Sequence, residues 1–141
     1  MKARVIAHSA ITMDARFPGN NPDDKRFKRK LLAEGDSWFS MGGVPVENLL
    51  FELDFPSPAI VVNIAEPGDD IVRMADPKRV KLFQRLVGLG RFAYKWDAIL
   101  LSGGGNDFID QASEILRTGD TVAACINQTR LRECMGKISA A

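Results

Sequence analysis

Three short stretches of this 141-residue chain carry residue types that could do chemistry. Gly35-Asp36-Ser37 ends an apolar run and offers a hydroxyl at a sharp corner. Glu66-Pro67-Gly68 follows a second apolar run, and Gly103-Gly104-Gly105-Asn106-Asp107 follows a third. The chemistry they suit is acyl transfer. Ser37 would attack a carbonyl, and its own amide and that of Gly68 would face the developing oxyanion, since glycine has no Cβ to block close approach. The side-chain amide of Asn106 would be a third donor, aimed by a backbone that the three glycines let turn tightly.

Such a site needs strands to bring its corners together. The pattern predicts strands over residues 31–34, 59–64 and 96–102, the second a β-branched run of the kind found in buried parallel sheets. Between them, Val46, Leu49, Leu50 and Leu53 recur at helical spacing behind Pro45, a residue suited to open a helix. Asp69 or Asp70 is placed to cap a helix starting at Ile71 and running to about Leu89, with a break at Pro77. Helix is expected from Ile109 to about Ile138, broken around Thr118-Gly119-Asp120. Alternating strands and helices imply a parallel sheet, in which every strand's carboxyl end faces one rim. Residues 1–29 are expected to be a poorly ordered arm, and 30–141 the folded domain.

In this order the three stretches resemble the signature blocks of the SGNH, or GDSL, hydrolases, a family of esterases, lipases, acyl-hydrolases and carbohydrate deacetylases. Gly35-Asp36-Ser37 resembles the first block, with Trp38 where leucine is commoner. Asn63-Ile64-Ala65-Glu66-Pro67-Gly68 resembles the second and Gly105-Asn106-Asp107 the third. The resemblance implies a three-layer, flavodoxin-like α/β fold with Ser37 as nucleophile and Ser37, Gly68 and Asn106 as oxyanion hole. Asp36 and Asp107 would orient loops. The implied substrate is a small-molecule ester or an acylated carbohydrate, with no cofactor.

The family's fourth block, Asp-x-x-His with its general base, has no counterpart, and the one histidine, His8, precedes the first expected strand. Without a base, only a residual ~10³ to 10⁴-fold acceleration over water is expected from the oxyanion donors and binding. The family fold has about five parallel strands against the three expected here. The chain therefore reads as the N-terminal part of such a domain, or a product truncated by a frameshift. Its third strand would be a bare edge through which copies could associate. The alternative reading is a non-catalytic module that binds an ester or a carbohydrate.

Bulk properties narrow the partners. A composition 45% apolar and 26% charged with net charge +1 argues for a globular chain with no global pull toward nucleic acid or lipid. Lys25, Arg26, Lys28, Arg29 and Lys30 form one short basic run, read as a solvated lead-in and not as a phosphate site. No metal is implied, because the carboxylates lack histidine companions. Cys125 and Cys134, nine residues apart in one expected helix, would lie too far apart to pair. Gly88-Leu89-Gly90-Arg91-Phe92-Ala93 matches G-x-G-x-x-A, but follows a helix and precedes a strand, the reverse of a nucleotide-binding turn. No signal peptide or membrane span is read, so a cytoplasmic location is expected.

Overall fold

The run Ala59-Ile60-Val61-Val62-Asn63 is buried at every position, which a strand achieves only with neighbours on both sides and cover on both faces. The computed structural model describes residues 1–40, 48–88, 93–121 and 123–140. It places this run, β3 (Ala59–Asn63), inside a four-stranded sheet with β1 (Arg4–Ala7), β2 (Arg29–Glu34) and β4 (Ala98–Leu101), in the order β1-β3-β2-β4. All three pairings are parallel. The fold is therefore α/β, as the alternation of elements implied.

Period-two alternation divides the core. Val5, Leu31, Ala33, Ala59 and Val61 face one side, where Leu50 of α1 (Leu49–Glu52) covers them. Ile6, Leu32, Ile60, Val62 and Ile64 face the other, under Leu86 of α3 (Pro77–Val87). Helices thus lie on both faces of the sheet. Among the described residues no helix is long and apolar enough to cross a membrane.

Among the described residues four strands stand where three were expected, and the added one comes from the supposed arm. Residues 4–7 pair with β3, and Val5 and Ile6 are buried on opposite faces. The rest of that segment is folded back by successive turns, including Thr12 N–H to Asn20 O and Phe27 N–H to Asp24 O. A strand with two buried residues is too short to show a period, which is why the sequence hid it. The basic run that follows lies at the amino end of β2, opposite the rim of interest. Lys30 pairs with Asp23 at 2.6 Å, Arg29 with Asp97 at 3.2 Å and Arg26 with Asp24 at 2.9 Å.

The helices differ from expectation mainly at their ends. Asn48 caps α1 by accepting from Leu50 N–H, while Pro45 and Val46 lie outside the described residues. Asp70 caps α2 (Ile71–Met74), and Asp76 caps α3, with Pro77 at its first turn and Gly88 after its last; Leu89 to Phe92 of the glycine-bearing stretch lie outside the described residues. The last region starts early, at Gly105, because Gly104 adopts φ +89° and turns the chain straight into α4 (Gly105–Asp110). It continues as α5 (Ala112–Ile115) and α6 (Gln128–Ala140). Between them a Leu116–Ile126 bridge closes a loop in which Cys125 lies on a turn, so Cys125 does not share with Cys134 the helix that was expected. Both thiols are free.

Candidate active site

The chain leaves β2 for β3 on one side and then crosses to β4 on the other, so the loops after β2 and β4 part at a topological switch point. Crevices that bind ligands form outside the carboxyl ends of strands at such points. Here the crossing is tight. A Cβ on Gly35 would lie 2.2 Å from Ser102 Oγ and 2.6 Å from Ser102 O, so only glycine lets the end of β2 pass the end of β4.

Asp36, the next residue, is fully buried and ties these two loops together. Its Oδ1 accepts from Ser102 Oγ at 2.8 Å and from Trp38 N–H at 3.1 Å, while its own N–H donates to Ser102 Oγ at 3.3 Å. Its Oδ2 is buried with no hydrogen-bond partner among the described residues. Gly105 lies close by, where an added Cβ would be 3.2 Å from Trp38 Nε1 and 3.6 Å from Asp36 Oδ2. Ser37 follows on the exposed turn of this corner. Asn63, at the end of β3, and Asn48 both donate to Phe39 O, which anchors the far side of the turn.

The second corner meets the third directly. Asn106 Nδ2 donates to Asp69 O at 2.8 Å, one residue beyond Gly68, and an amide nitrogen has a second N–H to give. Asp107 is buried and its Oδ2 accepts from Ile71 N–H at 3.0 Å, joining the third corner to the start of α2. Gly68 itself adopts φ +78°, and a Cβ there would meet nothing within 4 Å. Glycine is favoured there by backbone conformation, and the space in front of it is open.

A group the sequence did not single out sits beneath this rim. Arg79 of α3 donates through Nη2 to Asp69 at 2.8 Å, Ile64 O at 3.2 Å and Glu34 at 3.4 Å, and pairs through Nη1 with Glu66. One guanidinium thus holds the end of β2 and both flanks of Gly68. The signal was a basic residue on an apolar stripe: Arg79 precedes Leu82, Phe83 and Leu86 at helical spacing. Ser102, at the end of the third expected strand, carries no signal of its own in the sequence.

Burial pushes the Glu34 carboxyl from its ordinary 4.5 up to about 7, with the Arg79 charge opposing the rise and Asp69 and Glu66 adding to it. The folded state therefore holds this proton at pH values where the unfolded chain has released it. The associated stability is complete below about pH 4.5 and is lost as pH rises through about 7. At ~1.4 kcal/mol per pH unit the loss is roughly 3 kcal/mol. Glu34→Gln is expected to remove this dependence, so that the variant gains about that much on wild type between about pH 4 and pH 9 in urea titrations. A difference that stays flat with pH would show that Glu34 is not the buried acid described.

His8, the chain's one histidine, begins a short turn after β1. Because β3 separates β1 from β2, the strand ends leading to His8 and to Ser37 are two strand spacings, about 10 Å, apart. His8 instead lines a cavity of about 630 Å³ with Ile11, Leu82, Arg85 and Tyr94, on the α3 face. No group of three His, Cys, Asp or Glu side chains placed to hold a metal ion occurs among the described residues. Neither the family models, the curated proteins nor the solved structures compared with this chain include a match to it.

Proposed function

We propose that the rim is the nucleophile and oxyanion-donor half of a serine ester hydrolase of SGNH type. Ser37 Oγ attacks the acyl carbon of an ester, and the amides of Ser37 and Gly68 with the Asn106 side chain receive the charge that develops on oxygen. The observation that carries this reading is the Asn106-to-Asp69 hydrogen bond of 2.8 Å, which ties the third block to the residue after Gly68. The Asp36–Ser102 contact joins the first corner to the same rim. The order β3-β2-β4 also supports it, being the second-first-third order in which a flavodoxin-like sheet begins.

Among the described residues this rim presents no histidine to serve as general base. That favours a second reading, in which the same pocket binds an ester or acylated carbohydrate without turning it over, and the observation behind it is the place of His8 beside α3. One experiment separates the two. A fluorophosphonate probe is expected to label Ser37 slowly, and faster when free imidazole is added as a substitute base, with Ser37→Ala abolishing the label. Asn106→Ala should slow the labelling roughly 10²-fold, the usual effect of losing one oxyanion donor. Equal behaviour of wild type and Ser37→Ala, with and without imidazole, would remove Ser37 as a nucleophile and leave the binding reading.

A further inference from the structure

We infer that the protein pairs with a second copy of itself through β4, two sheets joining edge to edge in antiparallel fashion. The inference is independent of what the rim does. Among the described residues β4 bonds to β2 on one side only and ends the sheet. Ile99 and Leu101 on it are 44% and 67% exposed.

Natural sheet edges are protected by charge, proline or cover. From Ala98 to Asn106 this edge carries no charged residue. The opposite edge is guarded: Lys2 precedes β1, Arg4 begins it, and Lys2 bridges Asp54 beside it. Pairing of β4 with β1 of another copy, which would build fibres, is thereby disfavoured.

The pattern on β4 selects a copy of itself as occupant. Ile99 lies beside Leu32 and Leu101 beside Glu34 in the parallel register, so both share the face covered by α3. A two-fold axis perpendicular to the sheet keeps the α3 faces on one side, so residues that meet across the seam must belong to the same face. Setting Leu100 opposite its own copy satisfies this. Ile99 then packs against the partner's Leu101, and Leu101 against the partner's Ile99, as a cross-strand apolar pair on each side of the axis.

The space above the strand fits this arrangement. Two open grooves flank β4 on the α3 side, one of about 990 Å³ against Val87, Trp96 and Ile99 and one of about 390 Å³ against Met74, Phe83 and Leu101. Antiparallel pairing sets the first groove of one copy beside the second groove of the other. Side chains of each copy can then enter apolar space that its own helices leave uncovered.

Sedimentation velocity of the full chain tests this. Wild type is expected to show a concentration-dependent monomer–dimer equilibrium, which Ile99→Lys weakens roughly a hundredfold by placing two buried charges in each seam. Circular dichroism should show the variant folded, since Ile99 is already half exposed. Mild oxidation of Leu100→Cys should give a disulfide-linked dimer with the link mapped to residue 100, whereas Ile99→Cys should not link to itself, its neighbour across the seam being residue 101. A wild type that is monomeric at every concentration overturns the inference. So does self-association that survives Ile99→Lys, or a link that forms at 99 and not at 100.

Discussion

Gly35→Ala is expected to cost at least about 4 kcal/mol, enough to leave much of the protein unfolded, while Gly68→Ala should cost only about 1 to 2 kcal/mol. The two glycines sit on the same rim and differ in what surrounds them. At Gly35 the new methyl would lie 2.2 Å from Ser102 Oγ and 2.6 Å from Ser102 O. The hydroxyl could rotate away; the backbone carbonyl cannot. Relief requires β4 to move from β2, which breaks the Ser102 N–H to Glu34 O bond of 3.1 Å and the Ser102 contacts of buried Asp36. At Gly68 a methyl meets open space, and the cost is that of a left-handed backbone conformation alone. Urea denaturation followed by tryptophan fluorescence reads both. Equal, small losses would mean the β2–β4 crossing is looser than described.

Arg79→Ala carries the second large effect, an expected loss of about 3 to 5 kcal/mol near neutral pH. Its guanidinium is largely buried beside the carboxylates of Glu34 and Asp69, themselves buried. The loss arises because, without the cation, the Asp69 carboxylate sits in a poorly solvated site with no opposite charge and the Glu34 carboxyl is pushed further up. Arg79→Lys should recover only part of it at neutral pH, since one ammonium cannot reach Glu34, Glu66, Asp69 and Ile64 O together. Hydrogen exchange should show residues 64–70 opening before the rest of the sheet. A loss below about 1 kcal/mol with unchanged exchange would mean the cluster is solvated like an ordinary surface pair.

What was legible in the chain follows from the range of the interactions involved. β3 was readable because a strand buried on both faces must be apolar almost throughout, and that shows in five consecutive residues. The cap before Ile71, read as Asp69 or Asp70, and the glycine-rich approach to Asn106 were readable for a related reason: turns and caps act over two or three residues. β1 was not, since two buried residues in four make no pattern until β3 lies beside them. Arg79 was invisible as a tie because Glu34, its buried partner, is 45 positions away. Ser102 and Asp36 are 66 apart.

By itself, then, the amino-acid order determined the α/β alternation, the parallel sheet and the three corners that hold Ser37, Gly68 and Asn106. Those depend on local backbone preference and on which residues avoid water, and both are properties of short segments. Tertiary structure alone decided that the presumed arm supplies a fourth strand, that His8 stands beside α3, and that Arg79 braces the loop around Gly68. Each of these is a meeting between residues far apart in the chain, specified by how two apolar faces and one buried cluster of charge can be satisfied at once.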